Sequence, residues 1–333
     1  MKQLLLVLMS LWFAFPAFSA NQSGSYVWQF DLSDYPSDKE ASLWIPYPVS
    51  DNYQLISSLK WEGDYDDAAV YTERSFGVPI LYVHWPKGVK SRQLVFHFRV
   101  ERQEQVRRDF PEVDAAYDPR DLALYLAPTS LGPITGEVKK LAEEITRNKT
   151  GILEKARAIY DWTIDNTYRD PETRGCGVGD VTALLRRPGG KCADISSIYI
   201  ALARAAGVPT REILGIRTGK ETNQDVTKWQ HCWAEFYLPG YGWVPVDPAD
   251  VRKAMLKQNL KLSDDKVADL RDYYWGRVDQ YRIRLSEGRD LQLNPPQKGP
   301  AINYLMYPFS QVGDDSLDWL DPETFKYTIT WNQ

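Results

Sequence analysis

The sequence predicts an α+β protein, in which an all-β, sandwich-like module precedes a core of helices packed on an antiparallel sheet. Two changes of pattern carry that reading. Over residues 25–108 apolar side chains alternate with polar ones, as in Tyr26, Trp28, Phe30 and Leu32 and again in Leu94, Phe96, Phe98 and Val100. A period of two with one apolar face marks half-buried antiparallel strands. After a proline-bearing connector that starts at Pro111 the period lengthens: Ile152, Ala156, Ile159, Tyr160 and Ile164 form one helical stripe. Three strand candidates, 211–217, 231–238 and 242–247, then complete the second unit.

A length of 333 residues exceeds a typical single domain, and 13% aromatic residues, including 12 Trp and 20 Tyr, suit β-rich, well-packed units. Residues 1–20 read as a signal peptide: Lys2, an apolar run from Leu4 to Phe15, and small residues Ala17 and Ser19 suited to cleavage after Ser19. The mature chain is expected to start at Ala20 or Asn21 and to be periplasmic or secreted, with no integral membrane segment after signal removal. The expected division is 21–118 for the N-terminal β domain, 119–250 for the catalytic core, and 251–333 for a C-terminal extension whose helix and strands pack on the core. A net charge of -5 gives no general reason to expect nucleic acid as a partner.

Within the second unit, residues 135–147 and 151–166 read as helices, and a glycine-rich loop leads to a third helix that begins at Cys192. Ile195, Ile198, Tyr199 and Leu202 continue its stripe; Gly207 and Pro209 end it. Cys192 stands in the first turn, where unpaired N–H groups and the helix dipole favour a thiolate. The alternative is a buried structural cysteine. Gly190, just before it, would let a substrate chain approach closely.

Only three histidines occur, and His231 alone follows Cys192. In HCWAEFYL, His231 and Trp233 share one face, while Cys232 lies on the other with Phe236 and Leu238, as an inert inward thiol. Trp233 and Gly190 are the expected substrate-binding residues. Asp247 ends the next strand, across the hairpin signal LPGYG. To share a face with His231 it needs an odd loop: three residues, 239–241, would pair Trp233 with Asp247 and set His231 diagonally beside it. Asp250 is the competing acid. With no CxxC pair and one late histidine, neither a metal site nor a cofactor is expected. GCGVGD lacks the spacing of a dinucleotide loop, and RRPGGKC lacks the first glycine of a P-loop.

The segments GDVTALLRRPGGKCADISSIYIALARAAGVPTREILGIRTG and WQHCWAEFYLPGYGWVPVDPAD resemble the transglutaminase-like superfamily of secreted bacterial proteins. Cys192, the run RAAGVP at 204–209, His231 with Trp233, and Asp247 carry the resemblance, which covers roughly 135–250. It implies a papain-like core with a Cys192, His231, Asp247 triad and amide-bond chemistry through a thioester, by hydrolysis or acyl transfer, on a protein or peptide substrate. The other reading is a non-catalytic secreted binding module that keeps this core as a scaffold. The three thiols also leave a bond between Cys176 and Cys232 open.

Overall fold

The computed structural model describes residues 21–112 and 114–333; the expected signal peptide, 1–20, lies outside them. Two five-stranded sheets form the β part. In one, Gln22–Asp31 runs between Lys326–Asn332 and Gln93–Arg102, with Gln54–Gly63 and the short Gln224–Asp225 at the edges. In the other, Ala41–Pro46 runs between Phe309–Val312 and Pro79–Trp85, flanked by Asp315–Ser316 and Asp67–Thr72. Inward residues of both sheets, among them Trp28, Phe30, Leu43, Val83, Trp85, Phe96 and Trp331, form one apolar core. This is the period-two pattern turned into a sandwich.

The second unit is a four-stranded antiparallel sheet in the order Gly242–Val246, Gln230–Leu238, Thr210–Arg217, Arg282–Glu287. The helix Cys192–Ala205 lies against it, buried from Cys192 to Arg204. Ala234, Phe236 and Leu238 of the sheet join Ile198, Tyr199 and Leu202 of that helix in a single core with Ala156, Ile159, Tyr160 and Ile164 of the helix Ile152–Asn166. Gly207, at φ +80°, closes the Cys192 helix in the left-handed conformation the sequence predicts there.

Two helices were not expected. Val181–Arg186 stands within the glycine-rich loop, with Asp180 accepting from the Ala183 N–H at its N-terminus. Pro248–Gln258 runs through the boundary drawn at 250, because Asp247 and Pro248 act as its N-cap and first residue. In the C-terminal stretch the sequence predicts a helix capped by Ser263 and running to about Trp275; the structure has Asp265–Tyr273, with Asp264 at its N-cap.

The stretch 251–333 divides between the two units. Helix Asp265–Tyr273 and strand Arg282–Glu287 belong with the core, whereas Phe309–Val312 and Lys326–Asn332 complete the two sandwich sheets. Pairing of Tyr26 with Trp331 thus joins opposite ends of the described chain. The units dock tightly: Ile216, Ile283 and Leu285 of the core sheet enter the sandwich core. The Gln54 amide donates to Arg284 O at 3.0 Å and accepts from the Arg284 N–H at 3.0 Å. Among the described residues no helix is long and apolar enough to cross a membrane.

Candidate active site

Cys192 is the first residue of its helix, so its own N–H is among those that the helix cannot satisfy. Asp194, two residues on, organises the surrounding loop. Its Oδ1 accepts from the N–H groups of Val178 and Gly179 at 3.0 and 2.9 Å, and its Oδ2 accepts from that of Lys191 at 3.0 Å. Burial lifts this carboxyl above its usual range, opposed by those three N–H bonds. Room for it comes from two glycines. A Cβ on Gly177, which has φ +92°, would lie 1.9 Å from Asp194 Oδ2, and one on Gly190 would lie 2.4 Å from the Asp194 Cβ. Gly190, the expected substrate-binding residue, is buried against the Asp194 side chain and lies outside the lining of the open cleft.

His231 opens the strand Gln230–Leu238, and its Nε2 stands 2.7 Å from Asp247 Oδ2. The hairpin explains this contact. Pairs Leu238 with Gly242 and Ala234 with Val246 enclose a three-residue loop, 239–241, and the next position in that register sets Trp233 opposite Asp247. The parity required by the sequence argument is therefore the parity observed. Regular pairing stops at Val246, and Asp247 turns to cap the following helix, its Oδ1 accepting from the Asp250 N–H at 2.8 Å. Both carboxylate oxygens are thereby committed. A carboxylate accepts, so Nε2 is the protonated nitrogen and Nδ1 is left as the basic one.

Asp250, the competing acid, is 3.8 Å from His231 Nε2. It is held instead by Arg217, at 2.7 and 2.6 Å to its two oxygens, and by Arg282 Nη2 at 2.6 Å. Arg282 Nη1 donates to Asp247 Oδ2 at 2.9 Å, so one buried guanidinium ties both acids together. Burial pushes the Asp250 carboxyl up, but Arg217, His231 and Arg282 outweigh it and hold the group well below the usual range. His231, Asp247 and Asp250 converge closely enough to suggest cation ligands. Their charge is already balanced by Arg217 and Arg282, which a metal would have to displace.

Three free thiols meet beneath this network. Cys176, Cys192 and Cys232 share one buried cluster with Ile195, Leu214 and Tyr307. Cys176 Sγ accepts from the Tyr307 hydroxyl at 3.2 Å and lies 3.4 Å from Gln230 O, so its single S–H can turn either to that carbonyl or to Cys192. Hydrogen bonds from Cys176 and Cys232 hold the Cys192 thiol well below its ordinary range; burial opposes them and His231 assists them. The same contacts work in reverse on the neighbours. Cys176 is raised by its bond to Cys192 and by burial, and Cys232 by burial and then by Cys192. Cys232 does point inward, as its strand parity requires, yet it is a partner of the nucleophile candidate and not an inert filler.

Cys192 and His231 open onto a cleft of about 740 Å³ walled by Trp229, Tyr307, Trp319, Phe325 and Tyr327 on its aromatic side. Trp233 does not reach it. It is fully buried with Ile213 and Val278 and stacks on His231, ring centroids 6.3 Å apart at 27°. Trp233 shares a face with His231 but stands two residues further along the strand, so against its expected contact with substrate the structure shows a packing contact with the imidazole, outside the lining of the cleft. Asp194, Arg217 and Arg282 were missing from the sequence reading. Asp194 had a signal, an acid in the first helical turn; Arg282, far along the chain, had none.

Residues 139–248 match the transglutaminase-like superfamily. The chain is 34% identical over 317 residues to an uncharacterised protein of Haemophilus influenzae, spanning 87% of this chain and 86% of that one. Over 101 residues it is 31% identical to a protein-glutamine gamma-glutamyltransferase of Pseudomonas aeruginosa, spanning 28% of this chain and 15% of that one. Among solved structures, one from Cytophaga hutchinsonii, provisionally named a cysteine protease, has the same fold at 15% identity, with a TM-score of 0.55 over 94% of this chain and 99% of that chain. With a matching central domain, a relative along most of its length and a papain-like arrangement of helix and sheet, this protein belongs to the transglutaminase-like superfamily.

Proposed function

We propose that this protein is an exported, cysteine-dependent enzyme that acts on amide bonds of proteins or peptides, with Cys192 as nucleophile, His231 as base and acid, and Asp247 as the orienting group. The observation that carries the reading is the 2.7 Å contact between His231 Nε2 and Asp247 Oδ2, in a cleft that also holds a Cys192 thiol depressed well below its normal range. Asp247 fixes the imidazole tautomer, so Nδ1 takes the thiol proton. The thiolate sulfur bonds to the amide carbonyl carbon and the C=O electrons move onto oxygen. As the carbonyl re-forms, the C–N bond breaks and the nitrogen leaves with the proton held by His231. A thioester on Cys192 remains.

The Cys192 N–H has no hydrogen-bond partner among the described residues, which suits it to stabilise the oxyanion. Water or an amine then attacks the thioester, His231 removes its proton, and the sulfur is released as thiolate. Water yields hydrolysis and an amine yields acyl transfer. Export rests on the leader-like residues 1–20.

Alkylation by iodoacetamide tests the pair directly. Cys192 should react at neutral pH, and His231→Gln should slow that reaction by on the order of tenfold or more; a rate indifferent to the substitution overturns the reading. Mass spectrometry of a peptide library incubated with wild type and Cys192→Ala then separates cleavage, deamidation and cross-linking by their different mass changes.

A further inference from the structure

The cleft around Cys192 has a charge unlike that of the chain. The protein carries 45 Asp and Glu against 40 Lys and Arg, yet the cleft lining contains Lys and Arg and no Asp or Glu. Arg174 and Arg217 are neutralised there by Asp318 and Asp250. The remaining cations, Arg169, Lys191, Lys220, Lys228, Lys253 and Lys257, make no ion pair among the described residues. They come from three parts of the chain: the paired strands Tyr168–Arg169 and Gly189–Gly190, the second leading into Lys191; the loop 218–229; and the helix Pro248–Gln258, where Lys253 and Lys257 are a turn apart. Three separate parts of the chain thus bring unpaired positive charge to the cleft of one thiol.

That convergence costs the fold something. Lys253 is partly buried, and burial together with the neighbouring charges of Arg217, Arg169 and Lys257 pulls its ammonium below the ordinary lysine range despite the opposing pull of Asp250. An anion in the cleft would relieve this repulsion, and a cleft with low-dielectric walls focuses the field on whatever enters. The same lining includes Trp229, Tyr307, Trp319, Phe325 and Tyr327, which offer flat apolar surface and no formal charge. Cations together with aromatic rings fit a chain that bears carboxylates and also carbon-rich side chains.

We infer that the cleft selects acidic peptides: the amide carbonyl attacked by Cys192 is carried on a segment with Asp or Glu side chains flanking it, held by Lys253, Lys257 and the cations around them. This rests on the proposed role of Cys192. Charge would act mainly on capture, raising kcat/KM through association and KM, with the effect weakened by salt.

Two measurements on the mature full-length chain test it. The first compares alkylation of Cys192 by iodoacetate and iodoacetamide, which differ in charge at nearly equal size. The ratio of the two rates should fall by on the order of threefold to tenfold in Lys253→Gln/Lys257→Gln and in high salt. An imidazolium at His231 would favour iodoacetate too, but equally in both proteins, so it cancels in the comparison. The second measures kcat/KM on peptide pairs that differ only in acidic or amide flanking residues, where the acidic member should lead in wild type and lose that lead in the double variant. If Cys192 reacts with iodoacetamide in a His231-dependent way but the ratio is unmoved by both substitution and salt, the acidic-peptide inference fails while the proposed chemistry stands. If neither reagent labels Cys192, the proposed chemistry itself fails. Protection of Cys192 by a sulfated glycan but not by acidic peptides would also overturn the inference, assigning the cleft to a polyanionic sugar.

Discussion

The sandwich and the site around Cys192 differ in which buried polar groups they satisfy. In the sandwich, the indole N–H groups of Trp28 and Trp85 and the hydroxyl of Tyr26 sit in the core with no hydrogen-bond partner. Each such orphan costs about 1–3 kcal/mol, a loss that a core of this many large rings can absorb. Beside Cys192 orphans occur too, at Trp233 Nε1 and Arg282 Nε, but the carboxylates are treated differently. Every carboxylate oxygen of Asp247 and Asp250 is bonded, through a chain that runs from His231 to Asp247, Arg282, Asp250 and Arg217. The lesson is one of purpose: both regions tolerate an unpartnered indole N–H, but the second leaves no carboxylate oxygen of Asp247 or Asp250 free, and that chain of bonds fixes the position of a single imidazole.

The largest effect should come from the link that defines the second region. Asp247→Asn keeps the shape but offers the imidazole an amide that can present N–H, favouring the wrong tautomer, and turnover should fall on the order of 10⁴-fold. Turnover of the variant within tenfold of wild type would mean that Asp247 is only a helix cap. Next in size is a paired test. Trp28→Ala in the sandwich and Arg282→Met in the core should each cost about 3–5 kcal/mol in denaturant titrations, the first by leaving a cavity and the second by removing the buried guanidinium that Asp247 and Asp250 share. Only Arg282→Met should also change the pH profile of Cys192 alkylation. If both variants change it, the two regions are not independent and the contrast breaks.

The smallest expected effect sharpens the contrast within the site itself. The hydrogen bond from Cys176 is the largest of the influences that depress the Cys192 thiol. The alkylation midpoint of wild type should therefore lie below the ordinary thiol value of about 8.5, and Cys176→Ala should move it upward. The sign for stability follows from the same depression. Ionisation of Cys192 stabilises the fold above the unfolded thiol value, and that contribution is lost as pH falls through the lower folded value. A midpoint unchanged in Cys176→Ala would assign the depression to Cys232, His231 and the helix terminus.

Much of this was legible in the sequence because it is local. Alternation at Tyr26, Trp28 and Phe30 marks a strand with one buried face, and the glycine and proline at 207 and 209 stop the Cys192 helix where it stops. The three-residue hairpin at 239–241 decides which face Asp247 shares, a parity that needs no tertiary information. What was hidden depends on partners far along the chain. Nothing near Arg282 in QYRIRLS reveals that it bridges two acids from another element. The helix beginning at Pro248 was obscured because Asp247 ends a strand and caps a helix at once, and the strand pattern is the stronger local signal. Trp233 was placed on the right face of its strand, but a face does not tell how far along it the cleft extends. The overall negative charge likewise hid a cationic cleft, since a sum over the chain contains no geometry.

The strand Lys326–Asn332 lies between Gln22–Asp31 on one side and Gln224–Asp225 on the other. Its consequence concerns the order of folding. Partners so far apart in sequence meet only after long loops have closed, which makes such pairings slow. The same strand anchors the loop that carries Lys220, Lys228 and Trp229, so that wall of the cleft cannot be finished before the sandwich sheet is. A chain whose sandwich sheet is still incomplete would hold Cys192 on its helix without a complete cleft. Late strand insertion would thereby delay the exposure of Cys192 to a finished cleft until the sandwich has closed.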